Sequence, residues 1–128
     1  MTLHKKAVVV EDDGDLQFLY KHKLELEGFE VIAAANGLEG LTVIERHRPD
    51  IILLDLLMPV MSGAEMLARL RTEAWGSNIR VIILTNISKD EAPPALRLLR
   101  VDRYIVKAHH TPAQVVDVVR EILGARAP

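Results

Sequence analysis

Residues 51–55 read Ile-Ile-Leu-Leu-Asp, an unbroken apolar run that ends on a carboxylate. Unbroken runs of Val, Ile and Leu are typical of strands that are buried on both faces, as in a parallel sheet. Pro49 lies just before the run and ends the preceding regular structure, because proline interrupts regular backbone hydrogen bonding. We therefore predict a buried strand over residues 51–54, with Asp55 at its carboxyl end.

The same pattern, an apolar run followed by a chemically active side chain, occurs three more times. The further runs are Ala7–Val10 before Glu11-Asp12-Asp13, Val81–Leu84 before Thr85, and Tyr104–Val106 before Lys107. Open parallel sheets bind their ligands outside the carboxyl ends of the strands. One edge of the fold is therefore expected to collect several carboxylates, a hydroxyl group and an ammonium group.

Helical segments alternate with these runs, and residues 29–34 predict one more strand. The first helix is indicated by the apolar spacing of Leu16, Leu19, Tyr20 and Leu24. Later helix starts are indicated by capping residues, namely Asn36, Ser62 and Thr111. Five βα units in alternation predict an α/β fold. We expect a doubly wound five-stranded parallel sheet in the order 2-1-3-4-5, with helices on both faces.

The segment between the fourth and fifth strands is less regular. Residues 88–91 look like a helix start, but Pro93 and Pro94 follow at once. A proline inside a helix costs roughly 3 kcal/mol, and Pro94 also moves the residue before it away from helical angles. We therefore expect a separate turn at residues 88–91 and a fourth helix that begins near Pro94 and ends at about Arg100.

Composition limits the classes of protein that the chain can belong to. A length of 128 residues predicts a single domain, which we place at residues 1–124, with residues 125–128 as a tail or the start of a linker. The net charge of −2 does not favour direct nucleic-acid binding. The absence of cysteine excludes disulfides and thiolate metal sites. No apolar stretch is long enough for a membrane span or a signal peptide, so we expect a soluble, cytoplasmic protein.

The predicted edge has a definite chemistry. Clustered carboxylates repel each other unless a cation joins them, and a hard divalent cation with oxygen ligands is the expected one. A carboxylate beside such a cation can attack phosphorus. A single Asp at a strand end, such as Asp55, is more often a helix cap or part of a surface turn. Four strand ends with complementary chemistry favour a functional site, in which Thr85 and Lys107 would bind an oxyanion.

From about residue 5 to residue 123, the chain resembles the receiver domain of two-component response regulators, which has the flavodoxin-like fold. The family pattern is an acidic cluster, an Asp followed by Met-Pro and Gly, a Thr or Ser, an aromatic residue and a Lys. The matching residues here are Glu11-Asp12-Asp13, Asp55 with Met58-Pro59 and Gly63, Thr85, Tyr104 and Lys107. Each part alone is a weak signal, whereas the ordered set is highly specific.

The resemblance implies a role for each acidic residue. Asp55 would accept a phosphoryl group from a sensor histidine kinase or a phosphotransfer protein. Mg²⁺ would be bound directly by Asp12, by Asp55 and by the backbone carbonyl of Leu57. Glu11 would act on the ion through a water molecule. The chain would then be a phosphorylation-dependent signalling switch and not an enzyme that turns over an external substrate, with at most slow autodephosphorylation.

The resemblance also implies how the signal is transmitted. Thr85 and Lys107 would each contact a phosphoryl oxygen, and Tyr104 would move between exposed and buried positions as Thr85 moves. A phosphoryl group adds about −1.5 to −2 charges and three strong acceptors. The surface formed by the fourth helix, the fifth strand and the last helix would then bind a downstream target or a second copy of the chain.

Two other functions remain open at this point. The first is a receiver-like interaction module that does not depend on phosphorylation, which retention of the complete residue set argues against. The second is a Mg²⁺-dependent phosphohydrolase. Those enzymes usually carry an acid/base Asp two residues after the nucleophile, where this chain has Leu57.

The chain departs from the family pattern at several places, one of which is the double proline Pro93-Pro94 that shortens the fourth helix of the usual output surface. Ala108 replaces the usual proline after the lysine, and we expect a trans Lys107–Ala108 bond because a non-proline cis bond costs roughly 2.5–4 kcal/mol. Asn86 replaces a small residue and would crowd or cover the phosphoryl site. Leu57 and Ile87 replace residues that are often polar and orient the hydrolytic water. We therefore expect the phosphorylated state to be long-lived.

Overall fold

The computed structural model describes residues 5–124, which form one five-stranded sheet flanked by helices. The strand order is β2-β1-β3-β4-β5, and every neighbouring pair is parallel. Both the predicted order and the predicted strand direction are confirmed. The strands are β1 (Lys6–Val10), β2 (Glu30–Ala34), β3 (Ile51–Leu54), β4 (Arg80–Thr85) and β5 (Arg103–Val106).

Each of the four α-helices within residues 5–124 is preceded by a capping residue. Asn36 and Ser62 each accept a hydrogen bond from a backbone N–H in the first turn of the helix that follows. Thr111 and Gln114 form a complete capping box, in which each side chain accepts from the other residue's backbone N–H. The helices are α1 (Gly14–Leu26), α2 (Gly37–His47), α3 (Gly63–Thr72) and α4 (Pro112–Gly124).

The sheet has a hydrophobic core on each face. Side chains of α1 and α4 cover one face, and side chains of α2 and α3 cover the other. Successive residues of β1 alternate between the two cores, with Val9 in the first and Val8 and Val10 in the second. This two-sided burial explains the unbroken apolar runs, since neither face of a central strand contacts solvent.

The segment between β4 and β5 differs from the prediction. It contains two short 3-10 turns, Lys89–Glu91 and Pro94–Leu98, and no α-helix. Pro94 holds Pro93 in an extended conformation with ψ of 128°, and Arg100 has a left-handed φ of 55°. Too few residues lie between these two points for a stable helix. The turn at residues 88–91 is confirmed. The predicted helix does begin at Pro94, but it is a 3-10 helix that ends at Leu98, and the expected end near Arg100 is wrong.

The loop after β5 also bears on the site. Residues 107–109 form a 3-10 turn, and no peptide bond within residues 5–124 is cis. The expected trans bond between Lys107 and Ala108 is thus confirmed.

Within residues 5–124, every helix is too short or too polar to cross a membrane. The predicted tail at residues 125–128 lies outside the described residues.

Candidate functional site

The carboxyl edge of the sheet brings the predicted acidic residues together. The backbone N–H of Glu11 donates to the carbonyl of Ala34 at 3.0 Å, and that of Asp55 donates to the carbonyl of Val10 at 3.1 Å. Each bond continues the strand pairing by one residue, so both acids are anchored at the backbone where their strands end. Their side chains are therefore placed by the sheet itself rather than by a long loop.

Three carboxylates form a compact cluster at this edge. Glu11, Asp12 and Asp55 each offer an oxygen, and these atoms all lie within 4.8 Å of one another. Glu11 is 3% exposed and Asp55 is 7% exposed, whereas Asp12 is open to solvent. An all-oxygen set of this kind suits a hard divalent cation such as Mg²⁺. The donor chemistry thus fits the predicted metal, and the residues able to hold it are those named from the sequence.

Lys107 joins two of these acids. Its Nζ atom donates to Glu11 Oε1 at 2.5 Å and to Asp55 Oδ2 at 3.0 Å. Burial by itself lowers the pKa of the Lys107 ammonium, but the hydrogen bonds to Glu11 and Asp55 outweigh that effect and the net pKa is raised. Lys107 therefore stays charged at the site and offsets part of the negative charge of the cluster.

The Glu11 carboxylate is held at both oxygens. While Oε1 accepts from Lys107, Oε2 accepts from the backbone N–H of Asp13 at 3.1 Å. Burial raises the pKa of Glu11, and the Lys107 and Asp13 hydrogen bonds oppose this rise only in part. Asp13 also caps α1, because its side chain accepts from two backbone N–H groups of the first turn. Hydrogen bonds among its own residues and with the start of α1 therefore hold the Glu11-Asp12-Asp13 turn in place.

Gln17 and Gly63 support the site. The Gln17 side chain donates to the carbonyl of Glu11 at 2.9 Å and to that of Ala34 at 3.1 Å, a role for which the sequence carries no signal. A Cβ atom on Gly63 would lie 2.0 Å from the carbonyl oxygen of Asp55. The family motif includes this glycine, and the geometry gives the reason: α3 begins directly against the backbone of the candidate phosphoacceptor.

Thr85 and Tyr104 lie on the neighbouring strands. Thr85 is 1% exposed, and its hydroxyl oxygen is buried without a hydrogen-bond partner among residues 5–124. The Tyr104 hydroxyl donates to the carbonyl of Ile87 at 2.7 Å, so the half-buried ring is tied to the segment that follows Thr85. Burial is the largest cause of a raised Tyr104 pKa.

The residues that depart from the family pattern lie near the surface. Asn86 is exposed, Leu57 is 64% exposed, and Ile87 is half-buried against one of the cores. The backbone N–H of Leu57 donates to Asp55 Oδ1 at 3.4 Å, which places Leu57 beside the carboxylate. The roles of the Leu57 carbonyl in metal binding and of Asn86 in crowding stay predictions.

Comparisons with known proteins agree with this geometry. The family model of the response regulator receiver domain matches residues 7–120. The sporulation initiation phosphotransferase F of Bacillus subtilis is 37% identical over 83 residues, 65% of each chain. The polar-differentiation response regulator DivK of Brucella anthropi is 31% identical over 93% of this chain and 97% of its own. The phosphate regulon transcriptional regulatory protein PhoB of Rhizobium meliloti is 36% identical over 88% of this chain.

The chain accounts for different shares of its relatives. It spans 50% of the PhoB protein and 65% of the sporulation phosphotransferase. Among solved structures, the chemotaxis response regulator CheY4 of Vibrio cholerae is similar, with a TM-score of 0.85, 25% identity and coverage of 94% of this chain and 99% of that one. A receiver domain protein from Methanospirillum hungatei has a TM-score of 0.85, 29% identity and 96% coverage of both chains. With the sheet order, the acidic edge and the match over residues 7–120 in agreement, the chain belongs to the response regulator receiver domain family of two-component signalling.

Proposed function

We propose that Asp55 accepts a phosphoryl group from the phosphohistidine of a sensor histidine kinase or a phosphotransfer protein, and that the protein is a phosphorylation-dependent switch. One observation carries this proposal. The Asp55 carboxylate lies 3.0 Å from the Lys107 ammonium, at the same strand edge as a buried Thr85 hydroxyl that has no hydrogen-bond partner among the residues described. A nucleophile and two groups that bind oxyanions are thus combined.

Transfer of the phosphoryl group needs no reactant other than the phosphohistidine and Asp55. An Asp55 carboxylate oxygen forms a bond to phosphorus while the bond from phosphorus to the donor imidazole nitrogen breaks, and that nitrogen keeps the electron pair. Lys107 is placed to pair with a phosphoryl oxygen. Mg²⁺, held by Asp12, Asp55 and the Leu57 carbonyl with Glu11 nearby, would supply neutralisation of charge on the transferring group.

The phosphorylated state would be read through Thr85 and Tyr104. A buried hydroxyl without a partner costs about 1–3 kcal/mol, so a new acceptor at the site would draw Thr85 toward it. The segment that follows Thr85 is bonded to Tyr104 through the Ile87 carbonyl. Movement of this segment would therefore move the Tyr104 side chain. We place the binding surface for a downstream target or a second copy on residues 86–102, β5 and α4.

This proposal excludes turnover of an external substrate. The position two residues after Asp55 is occupied by Leu57, which is apolar and 64% exposed and cannot donate or accept a proton. We propose that the domain lies in the cytoplasm, where a partner kinase would transfer its phosphoryl group to Asp55. The proposal includes no contact with nucleic acid or with a membrane.

A direct experiment is incubation with acetyl phosphate and Mg²⁺ followed by intact mass measurement. We expect the mass of one phosphoryl group to be gained by the parent protein and not by Asp55→Asn, and the gain to be lost when Mg²⁺ is chelated. Stoichiometric phosphorylation of Asp55→Asn would show that another residue is the acceptor. A parent protein that binds Mg²⁺ but gains no mass would favour the phosphorylation-independent interaction module.

A further inference from the structure

A basic cavity lies at the amino edge of the sheet, at the opposite end of the strands from the acidic site. It is a depression that is open to solvent, with a volume of about 420 Å³. It is formed where the end of α3, the start of β4 and the residues before β5 meet. Its polar and charged lining is Arg71, Ser77, Asn78, Arg80, Arg100 and Asp102.

The charges of this basic cavity are unbalanced. Its lining includes three arginines and one acidic residue, Asp102. Both oxygens of that carboxylate are in use, since Oδ1 accepts from Arg80 Nη1 at 2.6 Å and Oδ2 accepts from the backbone N–H of Val81 at 2.8 Å. The lining therefore keeps an excess of positive charge that its own acid does not offset.

Arg71 forms a fixed wall of the basic cavity. Its guanidinium donates to the carbonyls of Leu99, Gly76, Ile79 and Arg100 at 2.8–2.9 Å. Burial lowers the pKa of Arg71, and the positive charge of Arg100 lowers it further. Arg71 is half-buried and Arg100 is exposed, and an anion bound near both would reduce the repulsion between their like charges.

Arg100 supplies free donors to the basic cavity. Its backbone is in the left-handed region, with φ of 55°, and its carbonyl is held by Arg71 Nη2 at 2.8 Å. Non-glycine residues adopt this conformation at a cost, and such strain is frequent at functional sites. Within residues 5–124, the Arg100 guanidinium has no hydrogen-bond or ion-pair partner. The side chain is exposed and able to bind a ligand.

We propose that the basic cavity binds a compact anion with phosphate groups and at least two negative charges. Guanidinium groups bind phosphate oxygens through paired, charge-assisted hydrogen bonds. Arg100 would be the main ligand, and Arg80 and Asn78 would contribute further donors. The acidic edge is not an alternative site for this anion, because its carboxylates would repel a free anion.

The test is titration of the metal-free protein with inorganic pyrophosphate at constant ionic strength, followed by amide NMR. We expect saturable shifts centred on Asn78 and Arg100. Inorganic phosphate should bind more weakly than pyrophosphate, and equal affinity for the two would overturn the assignment of a multiply charged ligand. Shifts centred on Thr85 and Lys107, or no saturation, would overturn the site itself.

Arg97 offers a matched control, since it lies in the same segment, is exposed and lines a different cavity. We expect Arg100→Asn to weaken pyrophosphate binding by about tenfold or more, and Arg97→Asn to leave it unchanged. Asparagine tolerates the left-handed backbone, so both variants should fold. Equal losses in the two variants would show a general effect of net charge and would overturn the proposal.

Discussion

The Lys107 ammonium lies 3.0 Å from the Asp55 carboxylate, although β4 separates the strands that carry the two residues. The same ammonium also contacts Glu11. Lys107 is therefore the cation that neutralises the acidic edge when no metal is bound. Its side chain is 10% exposed, and those of Glu11 and Asp55 are 4% and 8% exposed, so solvent screens this network only weakly.

We predict that Lys107→Met lowers the free energy of unfolding in metal-free buffer by about 3 kcal/mol, because removal of one partner leaves buried acids without compensation. Millimolar Mg²⁺ should restore part of this loss, since the ion replaces the missing positive charge. Urea denaturation with and without Mg²⁺ measures both effects. Lys21→Met is the control, because it breaks an exposed pair with Glu25 and should cost less than about 1 kcal/mol. Equal losses in the two variants would contradict the neutralising role.

Asp12 should serve metal binding and not stability. It is the exposed member of the acidic cluster, and its charge adds to the repulsion within it. We expect Asp12→Asn to lose most of its Mg²⁺ affinity while its free energy of unfolding in metal-free buffer stays equal or rises. Calorimetric titration and urea denaturation measure these quantities. Asp15→Asn, an exposed change in the same segment, should keep the parent affinity. A large loss of stability in Asp12→Asn would show that the residue has a structural role.

Thr85→Val separates the switch from the fold. Valine keeps the shape of the side chain and removes the buried hydroxyl, which has no hydrogen-bond partner within residues 5–124. We therefore expect the free energy of unfolding of the unphosphorylated protein to rise by about 1 kcal/mol. Phosphorylation should then change the NMR signals of Tyr104 much less than in the parent. A less stable Thr85→Val variant would indicate that the hydroxyl already has a partner in solution.

Gly63 should tolerate no side chain. Since a Cβ atom there would overlap the Asp55 carbonyl oxygen at 2.0 Å, Gly63→Ala must displace either α3 or the backbone at Asp55. We expect a loss of about 3 kcal/mol in the free energy of unfolding and slower phosphorylation by acetyl phosphate. Gly14→Ala is the control, because Gly14 is also the first residue of a helix and nothing lies within 4 Å of its added Cβ. A stable, fully active Gly63→Ala variant would contradict the argument.

The sequence predicted the features that depend on local patterns. Apolar runs located the strands, and the residue after each run located the site, because parallel strands end at one edge. Asn36, Ser62 and Thr111 marked helix starts since a cap is a local hydrogen bond. The acidic cluster and its Lys107 contact follow from the same logic.

Features that depend on distant contacts could not be predicted in the same way. The donors of Arg71 reach carbonyls up to 29 positions away in the chain, and an arginine in the last turn of a helix usually indicates only a favourable dipole interaction. Residues 94–100 were predicted as a helix because the two prolines exclude an earlier start. The left-handed backbone of Arg100, held by Arg71, was not visible in the sequence.

The phosphorylated state is expected to be long-lived because the side chains beside the site cannot orient water. Hydrolysis of the acyl phosphate requires a water molecule in line with the bond between Asp55 and phosphorus. Leu57 is exposed next to the Asp55 carboxylate, and Ile87 follows Thr85 by two residues; both are branched and apolar, so neither can hydrogen-bond that water.

The structure makes Leu57→Asn the cleaner first test of this lifetime. Ile87 packs against a core, so a change there combines a rate effect with a packing effect, whereas Leu57 is 64% exposed and its replacement should leave folding intact. We expect Leu57→Asn to shorten the lifetime of the phosphorylated protein, and the added Ile87→Glu change to shorten it further. A positioned proton-transfer group contributes about 10²–10⁴-fold to the rate, and an orienting amide should contribute only part of that.

The lifetime is measured by phosphorylating the protein with acetyl phosphate and timing the release of phosphate. Leu57→Ala is the control, because it removes the leucine without adding a polar group. If alanine accelerates hydrolysis as much as asparagine does, leucine slows the reaction by excluding water; if neither changes the rate, Leu57 does not control the lifetime.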